Sequence, residues 1–213
     1  ETESAIGTPP TITSVGMAAL LPHQSISLSP GGTVQIDEES IGGIDGRSDY
    51  LRKAVGRRYP GLRAAAFRAR DISSLPAPAA REIINGLDLI YVYSNGIDAA
   101  GDNAKTETSL PDAVEGEIES LVNLVMKFSN QLNRTHILVT ADHGFLYQAS
   151  EIESFYLIEA EKPEAGSRER RFVFGGPSPG EHFRTVEPLQ LGIEAADRLH
   201  FVEGLYRIRK QGG

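Results

Sequence analysis

The chain is expected to be α/β, a mostly parallel central sheet with helices on both faces in three layers. Two apolar runs, Leu87–Tyr93 and His136–Thr140, predict strands, and between them one long amphipathic stretch predicts a helix. Strand, long helix, strand is a βαβ unit, and such units build parallel sheets covered by helices.

From the N-terminus, Glu1–Pro10 reads as loop. Thr11–Leu21 is uncharged and largely apolar, and Pro22 stops it. A short helix is expected there, with Val15, Ala18, Ala19 and Leu20 on its buried side. Ser25–Gly46 is rich in Ser and Gly and predicts turns with a short β-ribbon, in which Thr33–Ile36 alternates as an edge strand. Gly42–Gly46 offers little apolar surface to bury and is expected to be disordered. Tyr50–Tyr59 predicts a short helix with Leu51 and Val55 inward, closed by Pro60, and Leu75–Pro78 predicts a bend or helix entry. Leu87–Tyr93 is almost continuously apolar or aromatic, as a strand covered on both faces should be. A polar loop, Ser94–Thr108, follows. In the helix Leu110–Leu132 the apolar positions Val114, Ile118, Leu121, Val122, Val125, Phe128 and Leu132 step mostly by three or four. Ser109 with Asp112 resembles a capping box, and Pro111 lies in the first turn, where proline is tolerated. Phe155–Ile158 and Arg171–Phe174 are further strands, and Leu199–Ile208 is apolar-rich without a pattern that fixes its type.

Composition excludes some classes. A chain of 213 residues with 40% apolar and 23% charged residues has the make-up of a globular domain. No apolar run reaches the roughly 20 residues of a membrane span, and the N-terminus lacks the basic-then-apolar pattern of a leader. The absence of cysteine removes disulfides and thiolate zinc sites and fits a reducing, cytoplasmic setting. With 21 basic against 29 acidic residues, overall steering onto nucleic acid is not expected. The basic residues cluster even so: Arg47, Arg52, Lys53, Arg57, Arg58, Arg63, Arg68 and Arg70 fall in one stretch. Arg168, Arg170 and Arg171 form a second group, and Arg207, Arg209 and Lys210 a third. Each is either a solvated face or a surface that meets phosphates.

The two expected strands end in metal-ligating chemistry. After the first come Asn95, Asp98 and Asp102; after the second come Asp142 and His143. The carboxyl edge of a parallel sheet is where ligands collect. Carboxylate oxygen with imidazole nitrogen suits zinc or manganese, and a pair of such ions can clamp a phosphoryl group. Gly101 and Gly144 would let the backbone turn beside such a site. Two plainer readings stand beside this one: an Asn-Gly-Asp loop that is only a turn, and a histidine hydrogen-bonded at a strand end.

Three segments, PTITSVGMAALLPH at Pro10–His23, LIYVYSNGIDAAGD at Leu89–Asp102 and TADHGFLY at Thr140–Tyr147, occur in that order. Together they resemble the PglZ family of bacterial phage-exclusion systems, part of the alkaline phosphatase superfamily. The resemblance implies an alkaline-phosphatase-like fold and a metal-dependent phosphatase or phosphodiesterase. The rival is a non-catalytic scaffold of a defence complex. The resemblance also implies two divalent ions, zinc or manganese. Asp142 and His143 would serve one ion, and Asp98 and Asp102 the other, with a carboxylate where many relatives carry histidine. Ser94 stands where relatives often carry another histidine. Arg47, Arg52 and Asn95 are the expected phosphate contacts. The family pattern also includes an Asp followed by a Ser or Thr nucleophile, expected upstream of Glu1, and a final histidine expected beyond Gly213. Residues 1–213 are therefore expected to be the middle of the domain, without its catalytic nucleophile, binding metal weakly or not at all alone. His182 and His200 do not follow the ligand pattern and are expected to be surface or loop histidines. A phosphate ester or nucleic acid is the expected substrate, and a DNA methyltransferase and an ATPase are the expected partners.

Overall fold

The computed structural model describes residues 3–4, 7–29, 31–97, 110–144 and 153–209, and of 110–113 the backbone alone. The chain divides into two compact units, one formed by 1–41 with 141–213, the other by 42–140.

In the first unit, helix α1 (Thr13–Ala19) buries Val15, Gly16 and Ala18, close to the expectation for this segment. A ribbon of β1 (Ile26–Leu28), β2 (Val34–Ile36) and β3 (Glu39–Ser40) follows, and β1 also pairs in parallel with β10 (Glu194–Ala195). The sheet order β10-β1-β2-β3 makes β2 an interior strand, not the expected edge. Alternation alone does not separate the two cases, because an interior and an edge strand of three residues share the pattern. A second sheet, order β7-β8-β11-β9, joins β7 (Ser167–Arg168), β8 (Phe172–Phe174), β9 (Phe183–Val186) and β11 (Leu199–Val202), every pair antiparallel. β6 (Leu157–Ile158) pairs in parallel with β12 (Arg207–Ile208). The stretch Leu199–Ile208 is therefore two strands. Ala160, Val173, Val202 and Ile208 close a core there, with Ile158, Phe183 and Tyr206 against it. His200 corrects the expectation of a surface histidine. It lies on β11, 1% exposed, with Nε2–H donating to Gly176 O at 3.1 Å and Nδ1 accepting from Thr185 Oγ1 at 2.9 Å. Two partners satisfy both ring nitrogens, and that is what lets the ring be buried.

In the second unit, helix α2 (Gly43–Arg58) starts inside the segment expected to be disordered. Its first turn is poor in apolar groups, but the helix as a whole buries Tyr50, Leu51, Ala54 and Val55, and that burial carries the first turn with it. α2 packs on β4 (Ala64–Arg68), and Ser48 Oγ accepts the Ala66 N–H at 3.0 Å. α3 (Ala69–Ser73) and α4 (Ala77–Ile84) lead to β5 (Leu89–Tyr93), which runs parallel to β4 in register Ala64↔Leu89 to Arg68↔Tyr93. Asp88 Oδ2 accepts the Arg63 N–H at 2.8 Å and sets that register at its start. β5 is half-buried along most of its length, less covered than its sequence predicts. α5 (Leu110–Asn130) contributes Leu124 and Phe128, with Leu132 just beyond, to a core with Ile72, Ala80 and Ile84, and Phe67, Ile90 and Val92 pack against it. Lys127 Nζ ties α5 to α3 by donating to Ile72 O at 2.8 Å and Ser73 O at 3.0 Å. Ile118 and Val122, expected on the buried side, are half-exposed.

The largest correction concerns 136–140. These residues form no strand; Ile137, Leu138 and Val139 are 40%, 87% and 60% exposed. A strand exists only through a hydrogen-bonded neighbour, and none is present for this segment among the described residues. The apolar pattern is that of a covered strand without the cover.

Candidate functional site

Asp142 and His143 follow the Ile137–Val139 segment, and α1 is folded against them. The contact depends on Gly16. A Cβ built there would meet the Asp142 carbonyl carbon at 2.7 Å and Asp142 Cβ at 2.9 Å, so only glycine lets the α1 backbone approach this closely. Gly16 is itself buried, one turn into α1.

The side chains of Asp142 and His143 are 14% and 16% exposed, and Asp142 Oδ2 stands 3.5 Å from His143 Nε2. Asp142 Oδ2 is buried and has no hydrogen-bond partner among the described residues. An unpartnered buried carboxylate oxygen is costly unless something is meant to occupy it. His143 Nδ1 lies 2.9 Å from Gly144 O. A carbonyl only accepts, so Nδ1 carries the hydrogen and Nε2 presents a lone pair, the tautomer a metal ligand needs. Two ligands of one zinc-sized ion, each about 2.1 Å from it and 3.5 Å apart, subtend roughly the tetrahedral angle. The donor pair therefore fits a divalent ion. Among the described residues no group of three or more His, Cys, Asp or Glu side chains gathers around one point.

Thr13, the first residue of α1, brings a hydroxyl into this cluster, with Oγ1 3.2 Å from His143 Nε2. Sequence alone did not single out Thr13 as a neighbour of His143. Its signal was present, since Thr13 lies inside the first of the three motifs, between Ile12 and Ser14. What the sequence could not supply is that 130 residues later His143 folds back onto it.

The remaining expected residues fare differently. Asp98 and Asp102 lie outside the described residues. In the second unit, Arg47 reaches the C-terminal end of β5, its guanidinium carbon 5.1 Å from the centre of the Tyr93 ring. Asn95 follows β5 two residues later and is exposed. Arg52 is exposed and paired with Asp49 one turn back at 2.8 Å, so the structure does not bring it to Arg47. Ser94 donates to Glu117 of α5. Burial pushes the Tyr93 phenol up to about 12, against the pull of the Arg47 charge, and Tyr91 is raised by burial as well. His182 is stacked on Tyr206 with ring centres 4.1 Å apart, a packing role and not a ligand's.

Comparison with known proteins places these motifs. Residues 1–209 match the model of the BREX system PglZ alkaline phosphatase-like domain. The chain is 32% identical over 219 residues to the alkaline phosphatase-like protein BrxZ of Escherichia coli O9:H4 (strain HS), a match that covers 100% of this chain and 24% of that protein. It is 28% identical over 172 residues to the alkaline phosphatase-like protein PglZ of Bacillus cereus (strain H3081.97), covering 81% of this chain and 19% of that protein. The chain thus spans about a quarter or less of the length of these curated relatives. No solved structure matches it significantly.

Proposed function

The chain belongs to the BREX PglZ family of alkaline phosphatase-like domains, and from that premise we propose that it is part of a metal-dependent phosphoric ester hydrolase of phage defence, with Thr13 as its nucleophile. The observation that carries the reading is the cluster of Thr13 Oγ1, His143 Nε2 and the unpartnered Asp142 Oδ2. Asp142 and His143 would hold one ion and Asp98 and Asp102 a second, and zinc or manganese suits the donors. A divalent ion bound there supplies Lewis acidity, which lowers the pKa of the attacking hydroxyl and offsets charge on the phosphate.

The protein's own groups do the rest. The peptide carbonyl of Gly144 fixes the His143 tautomer, so that Nε2, 3.2 Å from Thr13 Oγ1, carries the lone pair that a metal ion would take. Gly16 lets α1 carry Thr13 against the Asp142–His143 backbone. Thr13 gives up its hydroxyl proton to solvent as Oγ1 attacks phosphorus in line and the P–O ester bond breaks; the departing ester oxygen takes a proton from water, and a second water hydrolyses the phosphothreonine, which restores the hydroxyl. Arg47 and Asn95 are proposed as contacts to phosphate oxygens of the substrate, a role that a planar guanidinium fills well. The reading extends to a three-layer domain with a mostly parallel central sheet, to a cytoplasmic setting, and to a DNA methyltransferase and an ATPase as partners.

The test uses the full-length protein with a phosphodiester, a phosphomonoester and single-stranded DNA, each with manganese, zinc or chelator. Turnover that needs metal and falls by at least about 10³-fold in Thr13→Ala and in Asp142→Ala is expected, as for removal of a nucleophile. Thr13→Ser should keep much of it. Turnover unchanged in Thr13→Ala would move the nucleophile elsewhere. A folded, metal-loaded protein inert on every ester would favour the scaffold.

A further inference from the structure

The stripe that α5 turns inward runs through Phe128 and Leu124, both buried, and through Leu121, half-buried. Steps of four, three and four along a helix keep one face, and the next step back along it is Glu117. The stripe calls for an apolar residue there, and the chain supplies a carboxylate. Glu115 and Glu119, on either side, are exposed, whereas Glu117 is half-buried. A charge on a packing stripe breaks the local pattern, and natural chains keep such breaks at functional sites. Its contacts indicate the role. Ser94 Oγ–H donates to Glu117 Oε1. Glu117 Oε2 lies against Gly96, where a Cβ would run into the carboxylate, so glycine leaves the space that Glu117 fills. Ser94 and Gly96 belong to the segment that leaves the C-terminal end of β5. Ile90 and Val92 of that strand already pack on the core of Leu124 and Phe128. Glu117 extends the hold of α5 beyond the last residue of the strand.

We propose that Glu117 is a positioning residue for the second metal ion: it pins Ser94 and Gly96 to α5 and so restrains Asp98, the next carboxylate along the chain. This role rests on the two-ion reading above. A chain advances at most about 3.6 Å per residue, so two residues reach about 7 Å and six about 20 Å. A pinned Gly96 therefore restrains Asp98, two residues on, far more than Asp102, six residues on. Glu117 acts through Ser94 and Gly96 and does not touch the ion. Its role needs an oxygen that accepts the Ser94 hydroxyl, which the amide of glutamine also offers, so the role survives loss of the charge. A direct ligand would not survive it, because an amide oxygen lacks the negative charge that a carboxylate brings to a divalent ion.

Two measurements on the full-length protein test it. In the first, zinc chloride is titrated calorimetrically into an Asp142→Ala background, which removes the ion proposed at Asp142 and His143 and leaves the other to be read. Glu117→Ala is expected to weaken that ion by about 10–100-fold, the range for groups that orient ligands from outside, and Glu117→Gln to keep most of the affinity. Unchanged affinity in Glu117→Ala overturns the proposal. Equal losses in the two variants overturn it too, because they make the carboxylate a ligand. The second measurement needs no metal: hydrogen–deuterium exchange of the metal-free protein, read on peptides that cover 94–97. Glu117→Ala is expected to exchange there at least about tenfold faster than the parent, the factor that one hydrogen bond to a charged group contributes, and Glu117→Gln to stay close to the parent. Equal exchange in all three proteins overturns the proposal whatever the metal does. Faster exchange in Glu117→Ala, in a protein whose Asp142→Ala form takes up no zinc, supports the hold on Ser94 and Gly96 and overturns the two-ion reading instead.

Discussion

Gly16 sits inside a helix, where glycine costs up to about 1 kcal/mol relative to alanine. Propensity alone would make Gly16→Ala stabilising. The backbone of Asp142 reverses the sign: the added Cβ would lie 2.9 Å from Asp142 Cβ and closer still to its carbonyl, atoms that cannot swing aside as a flexible side chain can. Gly16→Ala is expected to destabilise the protein by about 1–3 kcal/mol, the range for overpacking, and to displace the Asp142–His143 pair from Thr13. Denaturant unfolding checks the first part and zinc affinity the second. A variant as stable as the parent, with unaltered zinc affinity, would show that the contact is not tight. Gly16 also marks the limit of what was legible. That Asp142 and His143 matter could be read from their place after an apolar run. Gly16 and Thr13 could be seen to lie in a motif, but their contacts with Asp142 and His143 could not, since these rest on a fold-back across more than a hundred residues. His200 misled for a related reason: a histidine on a strand reads as exposed until Thr185 and Gly176 O are found to satisfy its nitrogens.

Among the elements, β5 carries a titration that sequence does not announce. Tyr93 is raised to about 12, chiefly by burial, and its Oη is buried without a hydrogen-bond partner among the described residues. An ordinary tyrosine titrates near 10, at about which pH the unfolded chain gives up its phenolic proton while the folded chain keeps it. Between these values the unfolded state binds fewer protons, so stability falls as pH rises through the window and levels off above it. The unfolding midpoint should therefore drop from about pH 10 to about pH 12, and Tyr93→Phe should drop less. Equal drops in parent and variant would assign the effect to other groups. At neutral pH the same substitution should be neutral or slightly stabilising, because it removes a hydroxyl that has nothing to bond. The elements themselves were unevenly legible. α1, α5 and β5 were legible as elements, although Ile118 and Val122 of α5 are half-exposed and β5 is less covered than its pattern predicts. β4 was missed because Ala64, Ala65 and Ala66 favour helix in isolation, and only packing under α2 and pairing with β5 make them a strand. Ile137–Val139 failed in the opposite sense: the local pattern is that of a strand, but pattern cannot provide the neighbour that makes one.

Across the whole chain, two donors with the right tautomer and spacing for a metal, Asp142 Oδ2 and His143 Nε2, are in place, and Thr13 stands beside them. No larger set of ligating side chains gathers among the described residues, and the chain spans 24% or less of its relatives. Complete four-ligand zinc sites bind with roughly 10–16 kcal/mol. Half such a set, at roughly half that energy, corresponds to a Kd between about 1 µM and 0.2 mM. Isothermal titration of the 213-residue chain with zinc should return a value in that range, and Asp142→Ala should abolish the binding. The full-length protein should bind far more tightly, because each added ligand multiplies affinity once the first two are held in place. The affinity should also fall as pH drops, since protons compete with metal for His143 and the carboxylates. Nanomolar binding of two ions by the chain alone, untouched by Asp142→Ala, would place the metal at residues other than this pair. It would also leave the buried oxygen of Asp142 without an occupant to offset the cost of its burial.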